Sequence, residues 1–274
     1  MMRMKMRKAF SALLLMMALG MGIASAQCPM NNTAFKSGEF LAYNLYYNWK
    51  FVWVKAGTAS LSTVKSTYRG TPAYRSSLTT RGNSRTDKMF VLRDTLTSYC
   101  TLNMEPLYYR KGAHEGKRYN VDQVNYTYSG GRVHTHMSRR HTDGHVDGAN
   151  KSFSSCVFDM LNIFMRARSF NTAGWKKGYT VGFNIVDGKD ITPAKIVYYG
   201  KYYINGDDGK KYKTLRLSYM EKEKGKYKEI ARFYVTDDSN HIPVRLDMYL
   251  RFGSAKAFLV GMKGVRNEIK AEVK

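Results

Sequence analysis

Period-two alternation constrains this chain more than any other feature of its sequence. Leu41, Tyr43, Leu45 and Tyr47 fall on one face of an extended segment, and Tyr179, Val181, Phe183 and Ile185 repeat the pattern. Near the end, Val244, Leu246, Met248 and Leu250 alternate with Arg245, Asp247, Tyr249 and Arg251. That spacing puts oily side chains on one face of a sheet and charged ones on the other. Turn chemistry separates the runs at Ser129-Gly130-Gly131, Asp143-Gly144, Asp187-Gly188, Gly206-Asp207-Asp208-Gly209 and Asp237-Asp238-Ser239-Asn240. Such dipeptides supply the positive φ that tight hairpins need. About a dozen strands with short connections favour antiparallel pairing over βαβ units.

One stretch breaks the period. From Ser155 to about Ser169, Val157, Met160, Leu161, Phe164 and Met165 recur at helical spacing. Ser154 or Ser155 suits the start, and Arg166 and Arg168 suit the C-terminal end of the dipole. A lone amphipathic helix among antiparallel strands lays its stripe on the sheet. The expected fold is therefore mostly β: a large curved antiparallel sheet or open half-barrel, with the helix packed on it. About seven strands precede the helix and six follow, and one continuous sheet is preferred to two subdomains.

The N-terminus reads as an export signal. Arg3, Lys5, Arg7 and Lys8 precede an apolar run from Ala9 to Ile23, and Ala24-Ser25-Ala26 offers a cleavage site. The run is short for a bilayer span, which takes roughly 20 residues. Cys28 raises a lipoprotein reading, against which Gln27 stands where a small residue is required. The expected organisation is residues 1–26 signal peptide, 27–37 a disordered or extended segment, 38–264 one β-rich domain and 265–274 a tail. No later stretch is apolar enough to cross a membrane. Removing the signal takes four basic residues and no acidic one from a chain of net charge +24, so the basic excess survives. Such a charge favours anionic partners. Export turns attention from nucleic acid to anionic lipid or glycan, in the periplasm or at the outer-membrane periphery. Many of these cations alternate outward and also serve plain solubility. Besides Cys28 there are Cys100 and Cys156, which either bridge or remain separate buried thiols.

Several phrases carry a resemblance. Gly38-Glu39-Phe40-Leu41-Ala42-Tyr43 and Val54-Lys55-Ala56-Gly57-Thr58-Ala59 open the domain. Asp87-Lys88-Met89-Phe90, Arg93-Asp94-Thr95-Leu96-Thr97-Ser98-Tyr99, Pro106-Leu107-Tyr108-Tyr109 and His114-Glu115-Gly116-Lys117-Arg118-Tyr119 follow. Asp159-Met160-Leu161, Val235-Thr236-Asp237-Asp238 and Ile242-Pro243-Val244-Arg245 complete them. Together they resemble the exported bacterial family known as domain of unknown function 3108, over about Gly38 to Met262. The resemblance implies a Gram-negative envelope protein and carries no activity with it. The strand–turn–strand ending in Ile242-Pro243-Val244-Arg245, about a dozen residues, is also similar to a segment of the half-barrel lipoprotein carriers, a likeness of fold alone.

Candidate chemistry is sparse. His134, His136 and His145, with His141, Asp143 and Asp147 nearby, are candidate metal ligands, but their spacing matches no known ligand set. His114, Glu115 and Arg118 offer an acid, a base and a cation, with cross-strand ion pairing as the plain alternative. Trp49, Trp53 and Tyr109 are candidate ligand-stacking aromatics, whose ordinary role is sheet packing. No Gly-x-Ser-x-Gly elbow or phosphate-cradling loop occurs, and no cofactor is implied. The reading favoured is a non-enzymatic envelope protein binding a lipid, lipid-linked glycan or other amphiphile. An enzyme acting on envelope glycans or lipids, or an assembly partner of another envelope protein, are the alternatives.

Overall fold

The computed structural model describes residues 28–49, 52–250 and 253–273. The expected signal peptide and the side chain of Trp49 lie outside what is described.

Alternation plays out as one sheet. The first eight strands are β1 (Glu39–Trp49), β2 (Val52–Tyr68), β3 (Thr71–Gly82), β4 (Leu92–Thr101), β5 (Pro106–Glu115), β6 (Arg118–Ser129), β7 (Arg132–Arg140) and β8 (Val146–Phe153). They form an antiparallel meander. β9 (Val157–Phe158) leads into a helix, after which come β10 (Thr180–Asp187), β11 (Asp190–Asn205), β12 (Lys211–Glu223), β13 (Lys226–Thr236), β14 (Pro243–Tyr249) and β15 (Ser254–Lys263). These form a second meander, and pairing of β1 with β15 joins the two. β16 (Glu272–Val273) adds to β12. The predicted turns all fall between strands.

The helix is shorter than its stripe suggested. Residues 157–158 pair with β10 as the short parallel strand β9, and Asp159 then caps Met160–Ala167 by accepting from the Asn162 N–H. A second helix that alternation does not reveal, α1 (Ser84–Met89), links β3 to β4, capped by Asn83. Met160–Ala167 is thus α2. It is a wedge inside the curled sheet. Leu161 and Met165 join a core with Leu41, Leu61, Tyr109, Val124 and Met137. Ile163 and Ala167 join another with Ile185, Leu215, Leu217 and Val235.

Because the strands form meanders, their turns gather at two ends. One end is a floor, closed by the N-terminal segment, the β13–β14 turn, α2 and the C-terminal residues. Phe35 and Ala34 are fully buried there. Arg168, just past α2, makes a two-point salt bridge with Glu39 at 2.5 and 2.9 Å and donates to the Asn240 carbonyl. Asn240 in turn donates to the carbonyls of Asn267 and Glu268. The cysteines follow neither sequence expectation fully: Cys28 bonds Cys156, with Cα atoms 5.9 Å apart, and Cys100 remains a buried free thiol. Cys100 and Cys156 therefore do not pair, because Cys100 points into the core from β4 while Cys156 meets the N-terminal segment.

The outer face explains much of the tyrosine and arginine content. A row crosses five neighbouring strands, β11 to β15: Tyr199, Arg216, Tyr234, Arg245 and Phe258. Arg216 lies 4.6 Å from the Tyr199 ring centre, and Arg245 lies 5.3 Å from Tyr234 and 5.5 Å from Phe258. Each such stack contributes about 0.5–1 kcal/mol at an exposed site.

The two ends of the strand order are β8 and β9. The sheet curls until β7 and β8 approach the β10–β11 turn, where side chains meet. Arg139 reaches Asp187 at 3.9 Å, Lys151 reaches Asp190 at 3.5 Å and Lys189 reaches Asp147 at 3.6 Å. Gly188, at φ +58°, lies so close to Arg139 that a Cβ would sit 2.9 Å from the guanidinium. This seam is held by ion pairs, without a backbone ladder.

Candidate functional site: the concave face and its mouth

Away from the floor the inner face is less fully packed. Met160 begins a buried helix yet is 44% exposed. Phe164, one turn on, shares its face and packs on Phe233 of β13 with ring centres 5.2 Å apart. Leu246 and Met248 on β14, Phe183 on β10, and Leu78 and Leu92 on β3 and β4 are also only partly buried. By strand parity they face inward. Together they give the inner face an apolar wall that is only part-buried.

Polar groups ring this wall toward the open end. Tyr219 on β12 donates to Glu221 at 2.5 Å. Asp122 on β6 accepts two hydrogen bonds from Arg139 on β7 at 2.5 and 2.9 Å, which holds the guanidinium pKa above its ordinary value. Asp94 on β4 is pushed up to about 6, first by burial and then by the neighbouring charge of Glu115. Deeper, Asp159 accepts from Ser98 at 3.1 Å, and burial raises its carboxyl to about 7. Burial likewise raises the Tyr109 hydroxyl. The hydroxyls of Tyr43 and Tyr126 and the Asn162 side-chain oxygen are buried with no partner among the described residues, each at a cost of about 1–3 kcal/mol.

The predicted site residues are dispersed over this frame. Tyr109 is on the inner face, 5% exposed. Its neighbour Tyr108 points outward into a stack with Tyr68, since consecutive strand residues face opposite sides. His114 faces outward against Tyr119, whereas Glu115 is close enough to Asp94 to shift it. Consecutive strand residues point to opposite faces, so the structure does not bring His114 and Glu115 together as an acid–base pair. Arg118 pairs in register with Glu115 at the β5–β6 turn. Trp53 stands exposed near the β1–β2 turn under Lys256, 4.0 Å from its ring centre. His134 and His136 line a shallow outer depression with Asn125 and Asn150, and His136 pairs with Asn150 at 2.6 Å. His145 lies beyond the end of that ladder, with His141 and Asp147. Among the described residues no group of three or more His, Cys, Asp or Glu is arranged to hold a metal ion. Sequence reasoning placed Phe164, Leu246 and Met248 in the core but missed that they stay part-exposed. Their only signal was membership of an apolar stripe.

The family model for "Protein of unknown function (DUF3108)" matches residues 42–260. No curated protein matches. Among solved structures, a β-barrel-like protein of domain of unknown function DUF1849 from Brucella abortus superposes with TM-score 0.55 at 11% identity. That match covers 84% of this chain and 98% of the other. A protein with a YmcC-like fold from Bacteroides fragilis gives TM-score 0.36 at 8% identity, covering 86% and 100%. The first supports the barrel-like fold, and the second is too distant to argue from.

Proposed function

The chain belongs to the DUF3108 family, and from that premise we propose that it is an exported, non-enzymatic carrier or receptor for an amphiphile. The observation that supports this best is the part-buried apolar wall of Met160, Phe164, Phe233, Leu246 and Met248 inside a curled sheet. Apolar side chains in a concavity, with a few convergent polar groups, are the ordinary makeup of a small-molecule site. An acyl or isoprenoid chain would lie on the wall, and its head group would meet the polar ring at the mouth. Lys111, Arg139, Asp94 and Asp122 supply charges of both signs there. Export is supported by the leader pattern of Met1 to Ala26 and by the Cys28–Cys156 disulfide, a bond favoured in oxidising compartments.

Native mass spectrometry of protein purified from its export compartment tests the reading. It should show a co-purifying amphiphile that organic extraction removes. Met248→Trp, which fills the wall without breaking a hydrogen bond, should lower uptake of a fluorescent fatty-acid probe while leaving the circular dichroism spectrum intact. Ligand-free protein that takes up no probe would sink the proposal.

A further inference from the structure

We propose that the open end of the barrel docks on an anionic membrane surface, with the exposed residues at the start of β2 and the end of β14 inserting at the head-group level. This goes beyond the amphiphile reading and does not require it.

The first residues of β2 depart from the alternation that governs the rest of the strand. Val52, Trp53, Val54 and Lys55 are all exposed, the first three at 61, 38 and 45%, before the buried pattern begins at Ala56. Four consecutive exposed residues mean that both faces of this ribbon stand clear of the body. Tyr249 ends β14 and Leu250 follows it, 42 and 48% exposed. Only β1 and β15 separate that strand from β2, so the start of β2 and the end of β14 lie at the same end of the sheet, two strands apart. Phe90, half-exposed beside α1, belongs to the same end. An exposed apolar patch of this composition marks an interaction surface.

Its surroundings select the partner. The next tip around the rim, between β12 and β13, carries exposed Lys222, Lys224, Lys226 and Lys228. Of the acidic side chains there, Glu223 is engaged by Lys228 at 3.4 Å. Lys55 and Lys256 flank Trp53. A tryptophan and aliphatic tip bordered by lysines, on a chain of net charge +24, fits the interface of an anionic bilayer. Apolar rings enter the acyl boundary while the ammonium groups meet phosphate. A binding surface for a folded protein would place its aromatics in a packed core. Here they are exposed at the rim beside lysines.

Flotation of the purified protein with phosphatidylglycerol-containing vesicles tests this, with phosphatidylcholine vesicles as reference. The expected result is co-flotation with the anionic vesicles, reversed by high salt. Val52→Ser with Trp53→Ser should lower the bound fraction about tenfold, since the insertion depends on buried apolar area. Lys224→Glu with Lys226→Glu, at an exposed turn, should lower it independently. Co-flotation indifferent to head-group charge, unaltered flotation of either variant, or no flotation at all would overturn the proposal. Retention of an interior amphiphile by the serine variant, read by native mass spectrometry, keeps the two proposals separable.

Discussion

Asp159 does two jobs from inside the sheet, capping α2 through the Asn162 N–H at 2.7 Å and accepting from Ser98. Burial holds its carboxyl at about 7, against an ordinary 3.8. The folded protein therefore binds this proton more tightly than the unfolded chain. Stability from this group is fully present below about pH 4 and declines as pH rises toward 7. Asp159→Asn keeps an oxygen for the cap and never ionises. Its midpoint of urea unfolding should fall less between pH 4 and 7 than that of the unaltered protein. An equal fall would show that Asp159 does not titrate in this window. Glu39 and Arg168 form the other buried polar unit, both 2% exposed. Arg168→Leu strands the carboxylate and should cost about 3–5 kcal/mol in denaturant unfolding. The double variant Glu39→Leu/Arg168→Leu should recover a large part of that loss, because no buried charge is left unpaired. Neither partner was legible as one of a pair. They stand 129 residues apart, and only the closure of the floor brings them together.

At the scale of elements, strands were the legible part because each writes its own periodicity. Leu41, Tyr43 and Leu45 are buried as alternation required, and Val244 and Leu246 face inward opposite Arg245. What alternation could not supply was anything that depends on neighbours. The first residues of the presumed helix became β9 because β10 offered them a ladder. The six-residue α1 is too short to show a stripe. The candidate site was legible only as composition, since whether an inward residue is covered depends on where α2 comes to rest. The disulfide was illegible for the same reason. Its two ends are 128 residues apart, and one lies in the segment before β1. Closing so long a loop restricts the unfolded chain strongly, so reduction, or Cys28→Ser, should cost about 2–5 kcal/mol. The loss should come with faster hydrogen exchange at Met30, whose N–H donates to the Asn103 carbonyl, and little change in β1 or β15. If the thermal midpoint is the same with and without reductant, the bridge does not constrain the fold.

Taken whole, the molecule is a single path of strands whose two ends are joined by charge rather than by a ladder. At β1 and β15 every strand has two backbone neighbours. At β8 one edge faces the β10–β11 turn across three exposed ion pairs, Arg139–Asp187, Lys151–Asp190 and Lys189–Asp147. Exposed pairs contribute about 0–1 kcal/mol each and weaken with salt. A backbone ladder does not weaken in that way. Protection from hydrogen exchange should therefore grade outward from β1 and β15 to a minimum at β8, where local opening is easiest. Raising the salt concentration should accelerate exchange in β8 and the β10–β11 turn and leave the central strands unaltered. Lys151→Ala together with Lys189→Ala removes two of the three pairs, so it should speed exchange at the seam in low salt and make exchange there less sensitive to added salt. Opening the seam would also offer the amphiphile of the proposed function a way in between β8 and the turn, apart from the mouth. Uptake of a long-chain probe should therefore be faster in the Lys151→Ala/Lys189→Ala variant than in the unaltered protein, and equal uptake rates would place entry at the mouth alone.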